Sequence, residues 1–274
     1  MTNREKIVKL ARTFKAMCKH PVRFVEFSTG FGDSDMRDHV SRKYGFGNGL
    51  PQLDLLDLFP EFKESVTPYA FLEGGSSTID LALLKALARR YERCRYFEIG
   101  SWRGESLANV ASVANECISL SLSADEMRQV GWNDRHVATA GVFSRELKNV
   151  VHIGHDSKTF DYTPYLGTCD LVFIDGDHSY DGVRSDTINA FRLLRDEKSV
   201  IVWHDYMRTS EDDVLWGVVA GMLDGAPARA RGQLYHVSNT LCAVYIQGDF
   251  RTTPAVVPAI PDKIFEVTIA GRRR

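Results

Sequence analysis

Residues 94–114 read CRYFEIGSWRGESLANVASVA. The first seven form an apolar run, rich in aromatic and β-branched residues, that ends in acid and glycine. That is the pattern of a buried strand. Gly100 and Gly104 bracket a turn, and ESLANVASVA then takes up helical spacing. The unit therefore reads strand, glycine turn, helix. The same reading extends downstream. CISLSLS (117–123), VVHIGHD (150–156), DLVFIDG (170–176) and SVIVWHDY (199–206) are strand-like. Between the last two, Tyr180, Val183, Ala190, Phe191 and Leu194 make a helical stripe. VLWGVVAGML (214–223) is helical, and LYHVSNTLCAVYIQG (234–248) reads as two strands around a short turn. Upstream, SSTIDLALLKALARRYE (76–92) opens on a capping box, Ser77 three residues before Asp80, and buries Leu84, Leu87, Ala88 and Tyr91.

Strands alternating with helices imply right-handed crossovers and a mostly parallel sheet covered on both faces, a doubly wound α/β fold. Ligands in such sheets sit beyond the carboxyl ends of the strands. Glu98, Asp156, Asp175, Asp177, His178, His204 and Asp205 all fall at or just past the ends of apolar runs. Four different strands thus aim polar groups at one edge, where random surface decoration would scatter them.

Composition bounds the function classes. The chain has 274 residues, 44% hydrophobic and 26% charged, which is too apolar for a disordered chain. Lys plus Arg is 34 and Asp plus Glu is 36, a net charge of −2, so no strong field favours nucleic acid or anionic lipid. Five cysteines without a C-x-x-C pair argue against a disulfide framework or a thiolate zinc site. MTNREKIVKL carries charges where a signal peptide needs an apolar core, and no stretch approaches the length of a membrane span. The expectation is a cytoplasmic protein with no membrane partner.

The N-terminal part has a different texture. Ile7, Leu10, Ala11, Phe14 and Met17 mark one helix face, and Leu53, Leu56 and Phe59 a short second helix. Between them, residues 28–51 (STGFGDSDMRDHVSRKYGFGNGLP) are glycine-rich and read as a long loop or lid. Residues 1–75 form a helical and loop extension (cap, lid or dimerisation element), 76–248 the main domain, and 249–274 a tail.

The G-x-x-x-G turn is neither the G-x-G-x-x-G of dinucleotide folds nor a phosphate-binding loop. Glu98, two residues before the first glycine, suits a cationic group better than a pyrophosphate.

With FEIGSWRGES, DLVFIDGDHSYDGVRSD, SVIVWHDY and the closing LYHVSNTLCAVYIQG in hand, residues 76–248 resemble the class I S-adenosylmethionine-dependent methyltransferases. FIDGDHSYDGV is similar to the small-molecule O-methyltransferase branch that modifies sugars and antibiotics. The resemblance implies a Rossmann-like, seven-stranded sheet with the last strand antiparallel. It assigns Glu98, Gly100, Ser101 and Gly104 to the methionine end of the cofactor, and Asp156 with Ser157 to the adenine. The acid that normally grips the ribose at the end of the second strand is missing; Ser121 or Ser123 stands in, unless Asp125 reaches back. Asp175 completes the cofactor set. The resemblance also implies two uses for the remaining cluster. One is a divalent ion (Mg or Mn) held by Asp175, Asp205 and His204, His204 standing where some relatives have a second acid. The other is direct base catalysis by Asp177 or His178, with His204 beside them.

The activity implied is O-methylation of a small-molecule acceptor, in an enzyme that forms a homodimer if residues 1–75 supply an interface. Two other classes are weighed. A nicotinamide oxidoreductase wants G-x-G-x-x-G and an acid on the second strand, and lacks both. A non-catalytic methyltransferase-like scaffold would account for the missing ribose acid.

Overall fold

The computed structural model describes residues 31–209, 213–256 and 259–273. The stripe of Ile7, Leu10, Ala11, Phe14 and Met17 lies outside them. Nine strands are found among the described residues. They are β1 Gln52–Leu53, β2 Arg95–Ile99, β3 Glu116–Ser121, β4 Val150–Gly154, β5 Leu171–Ile174, β6 Val200–Trp203, β7 Leu234–Val237, β8 Ala243–Tyr245 and β9 Thr252–Thr253. The helices are α1 Phe31–Tyr44, α2 Leu55–Leu58, α3 Thr78–Ala88, α4 Glu105–Ala111, α5 Ala124–Gln129, α6 Asp134–Thr139, α7 Tyr180–Leu193 and α8 Trp216–Gly225.

All nine strands form one sheet in the order β4-β3-β2-β5-β6-β8-β7-β1-β9. The run from β4 to β6 is parallel, and β8 lies antiparallel to both β6 and β7. This is the expected doubly wound α/β sheet with its last core strand reversed. It is larger than the seven strands expected. β1 pairs parallel with β7, and β9 antiparallel with β1. The extension and the tail thus each add a two-residue strand to the sheet of the main domain. Runs this short carry no legible period of two.

The central strands are buried on both faces, which is why they read as continuous apolar runs. Side chains alternate between two cores. Val172, Ile174, Ile201 and Trp203 pack with Val183, Ala190 and Leu193 of α7 and Val219 and Leu223 of α8. Leu171, Phe173, Val200 and Val202 pack with Leu83, Leu84 and Leu87 of α3 and Leu107 and Val110 of α4. The Ser77–Asp80 capping box that starts α3 is present as expected. The four described cysteines, Cys94, Cys117, Cys169 and Cys242, are free and buried. No helix among the described residues is long and apolar enough to cross a membrane.

The glycine-rich stretch at 28–51 is not the loop its composition suggests: 31–44 is a helix. The glycines cluster at its ends, and residues 33–44 contain neither glycine nor proline. Met36, Val40 and Tyr44 recur at four-residue spacing and join the core beside α8. Polarity elsewhere in the segment hides this narrow stripe.

One carboxylate fastens the helix. Asp224 of α8, with a side chain only 6% exposed, accepts from His39 Nε2 at 2.8 Å, Lys43 Nζ at 2.6 Å, the Tyr44 hydroxyl, and Tyr180 Oη at 2.8 Å. Burial works against its charge, but these donors outweigh it and hold the carboxyl well below its ordinary value. The contact therefore contributes in full at neutral pH and is lost only as pH falls through that lowered value, beneath 3.8. Asp224→Ala should cost about 2–3 kcal/mol in urea unfolding. Hydrogen exchange should accelerate across residues 36–44 while β2–β6 stay protected.

Candidate active site

A cleft of about 580 Å³ lies over the carboxyl ends of β2, β3, β4 and β5. Gly100, Ser101, Gly104, Ser121, Asp156, Ser157, Asp175, Asp177 and His178 all line it, as the strand-end argument expects. Glu98, Ser123, His204 and Asp205 do not.

The 100–104 turn owes its shape to packing between chain segments. Gly100 has φ +88°, and a Cβ there would meet the Asp175 carbonyl oxygen and Gly176 Cα, both at 2.3 Å. Gly104, the N-cap of α4, has φ +80°, and its Cβ would meet Ser144 Oγ at 2.2 Å. The glycines let protein backbone approach protein, which brings the β2 and β5 loops together as one floor.

Glu98 sits behind that floor, fully buried. Tyr96 Oη donates to its Oε2 at 2.6 Å and Ser106 Oγ to its Oε1 at 2.9 Å. Burial pushes its carboxyl up to about 7. Its link to the cleft runs through Ser106, which does line the cavity.

At the end of β3, Ser121 faces the cleft, whereas Ser123 caps α5 and bonds Glu126. Asp125 does not reach back: its side chain is 87% exposed and pairs with Arg128 at 3.0 Å. Glu126 spends its second oxygen on the Asp156 backbone N–H at 3.2 Å, tying the β3 and β4 loops together.

At the β5 end, Asp177 accepts from Ser179 N at 3.0 Å, Ser179 Oγ at 2.9 Å and Lys158 Nζ at 2.8 Å. Burial opposes its charge, but Lys158 and Ser179 hold its carboxyl below the ordinary value. It is therefore occupied in shaping the start of α7, where Ser179 is the N-cap.

His178 is 52% exposed at the cleft and points Nε2 at Asp205 Oδ2, 3.0 Å away. His204 is buried. Its Nδ1 lies 2.9 Å from Asp205 Oδ2 and 3.3 Å from Asp175 Oδ1, and its Nε2 lies 3.4 Å from Asp80 Oδ2. Burial disfavours the charged ring, yet these carboxylates raise it well above 6.5. Donor atoms of Asp175, His204 and Asp205 come within 4.8 Å of one another, as the metal reading requires. With Nε2 turned to Asp80, an Nδ1 lone pair would face the same space as Asp175 Oδ1 and Asp205 Oδ2, so one imidazole nitrogen and two carboxylate oxygens are the groups that would hold a divalent ion there.

Several residues escaped the sequence reading, Ser106 among them. Asp80 showed only as a helix cap, and Lys158 gave no signal beyond its place two residues after Asp156. Trp132 and His155 line the cleft from loops. Trp132 packs edge-on to Trp102 at 6.0 Å, and Trp102 stacks on His136 at 5.7 Å, forming an aromatic wall.

A family described as a methyltransferase domain matches residues 97–206. Over these residues the chain is similar to methyltransferase domains. An uncharacterised protein of Acanthamoeba polyphaga mimivirus is 30% identical over 130 residues, which are 45% of this chain and 58% of that protein. The chain thus spans little more than half the length of this curated relative. Among solved structures, cofactor-bound Rv0187 from MTB aligns at 22% identity, TM-score 0.43, over 63% of this chain and 81% of that one. The O-methyltransferase TomG from Streptomyces achromogenes, involved in tomaymycin synthesis and solved in complex with SAM, aligns at 21% identity, TM-score 0.40, over 64% and 82%.

Glu98 has a pH consequence. Its folded carboxyl titrates above its unfolded value, so the folded state holds the proton more tightly and stability declines as pH rises from 4.5 to about 7. Glu98→Gln should remove about 1–3 kcal/mol of that decline, read as a smaller difference between urea midpoints at about pH 5 and about pH 8.

Proposed function

We propose that this chain is an S-adenosylmethionine-dependent methyltransferase (EC 2.1.1.-) acting on a hydroxyl of a small-molecule acceptor. The observation that carries the reading is one cleft spanning four parallel strand ends within the region similar to methyltransferase domains. In it a glycine turn abuts the acid–imidazole segment that starts at Asp175. In this reading Gly100, Ser101, Gly104 and Ser106 receive the methionine end. Ser121 meets the ribose, and Asp156 with Ser157 the adenine. Asp175 closes the floor beneath them.

When bound, the cofactor supplies an electrophilic methyl group. The chain aligns the acceptor and removes its proton. Of the candidate bases, Asp177 is spent on Lys158 and Ser179. His178 is exposed to the cleft and oriented through Nε2 by Asp205, leaving Nδ1 without a partner among the described residues. A base on an oriented imidazole suits neutral pH. His204 and Asp205 stand behind it as orienting groups. Alignment in a half-enclosed cleft supplies much of the acceleration.

The scaffold reading draws on a specific observation. Ser121 lines the cleft at the end of β3, where the resemblance places a ribose-gripping acid, and a neutral hydroxyl bonds about half as strongly as a charged partner.

Calorimetric titration with S-adenosylmethionine and S-adenosylhomocysteine separates the readings. Saturable binding is expected, about tenfold weaker in Asp156→Ala. On hydroxylated acceptors, His178→Ala should lower kcat by about 10²- to 10⁴-fold with cofactor affinity unchanged. Binding without turnover on any acceptor would favour the scaffold, and no binding would end the methyltransferase reading.

A further inference from the structure

Apolar surface is concentrated in the segment that follows β9. Twelve large apolar side chains lie exposed among the described residues, and six of them, Val256, Ile260, Ile264, Phe265, Val267 and Ile269, fall within 256–269. Single scattered exposures need no explanation, but half of them gathered in one segment mark a surface built to be covered. Among the described residues, 254–273 join neither helix nor strand. The segment is nonetheless held. Lys263, with a side chain 9% exposed, places Nζ 2.5 Å from Asp54 Oδ2 and 2.7 Å from Asp262 Oδ1. Asp54 follows β1 and is the N-cap of α2. Residues 264–269 therefore start from a fixed point beside β1.

Phe265, Val267 and Ile269 alternate with Glu266 and Thr268, the period of a strand with one apolar face. Such a strand needs an edge to pair with. The sheet of this chain ends at β4 and β9. β4 is seven places from β1 in the sheet, about 34 Å at the usual strand spacing, whereas residues 264–269 span about 20 Å when fully extended. The run cannot reach that edge from Lys263. β9 is only two residues long, too short a ladder for the run. The run is instead complementary to itself. In an antiparallel pair of two copies centred on Val267, Val267 faces Val267, Phe265 faces Ile269 and Glu266 faces Thr268. Opposed residues share a face, so three apolar side chains from each copy gather on one side. Further out, Asp262 faces Arg272 at both ends, and no like charges are opposed. Centring on Glu266 would set that carboxylate against its own copy, and centring on Thr268 would set Lys263 against Arg273.

We infer that residues 262–272 form an arm that pairs antiparallel with the same residues of a second copy of this chain, about a two-fold axis at Val267. Such an interface is isologous, so it closes as a dimer and does not propagate. The backbone ladder supplies affinity, and the Asp262–Arg272 contacts fix the register. The arm starts beside β1, whereas the cleft lies over the ends of β2, β3, β4 and β5. The inference therefore stands apart from the methyl-transfer reading. It gives residues 249–274, which read from the sequence only as a tail, the role of an interface.

The test uses the full chain. Chromatography with light scattering between about 1 and 100 µM should show a concentration-dependent dimer. Val267→Asp sets two carboxylates against each other at the axis and should raise the dissociation constant by about 100-fold or more. Position 267 is exposed, so circular dichroism of this variant should match the unaltered chain. Val267→Cys should form a disulfide-linked dimer in a glutathione buffer, because its two sulfurs meet at the axis. Ile264→Cys should not, because it faces Ala270. Cys94, Cys117, Cys169 and Cys242 are buried, and the unaltered chain is the control. A monomer throughout the concentration range would overturn the inference, as would a dimer that Val267→Asp leaves intact. Cross-linking at 264 as fast as at 267, or none at 267, would defeat the two-fold pairing even if Val267→Asp separates the copies.

Discussion

The end of β2 touches the loop after β5 through a glycine. Any side chain at position 100 would lie 2.3 Å from the Asp175 carbonyl oxygen, inside the contact distance of real atoms. This backbone-on-backbone approach sets the depth of the cleft floor. It places the 100–104 turn and Asp175–His178 on one wall, and the rest of the site is arranged around it. Glu98 is sealed beneath the same contact, where burial leaves its carboxyl poised near neutrality.

Charge in the cleft is organised in two tiers. The outer tier is the Lys158–Asp177 pair, half-exposed at 2.8 Å. It joins the β4 loop to the start of α7 and is screened by solvent. The inner tier is the Asp80–His204–Asp205 row, buried at Asp80 and His204, where an unpaired charge would be costly. Each inner carboxylate oxygen that faces His204 therefore has at least one donor. The inner tier sets geometry, and the outer tier shapes the mouth. His178 stands between them.

The far side of the sheet is secured by a different device. Asp224 gathers a histidine, a lysine and two tyrosine hydroxyls, joining α1 and α7 to α8. Behind it, Leu50 N donates to Tyr206 Oη at 2.9 Å, fastening the chain just before β1 to the loop after β6. The N-terminal segment is thus linked to the strand that delivers His204 and Asp205.

Local sequence determined the alternation of elements. Continuous apolar runs such as LVFI and VIVW, short and bounded by polar residues, fit strands covered on both faces, and in a parallel sheet the acids and imidazoles that close those runs emerge at one edge. That logic located the cleft and nine of its lining residues. Tertiary structure decided what each polar group does there. Ser123 looks like a site residue in one dimension, but a helix start claims it, and Asp177, which does line the cleft, is also tied to the start of α7. Glu98 points to a ligand by position, yet its neighbours Tyr96 and Ser106 enclose it. Asp80 reads as a helix cap and becomes a partner of His204 only because α3 packs across the sheet, 124 residues away in sequence. The two-residue strands β1 and β9 and the helix at 31–44 were likewise invisible, because their stability comes from the surfaces they meet and not from their own periodicity.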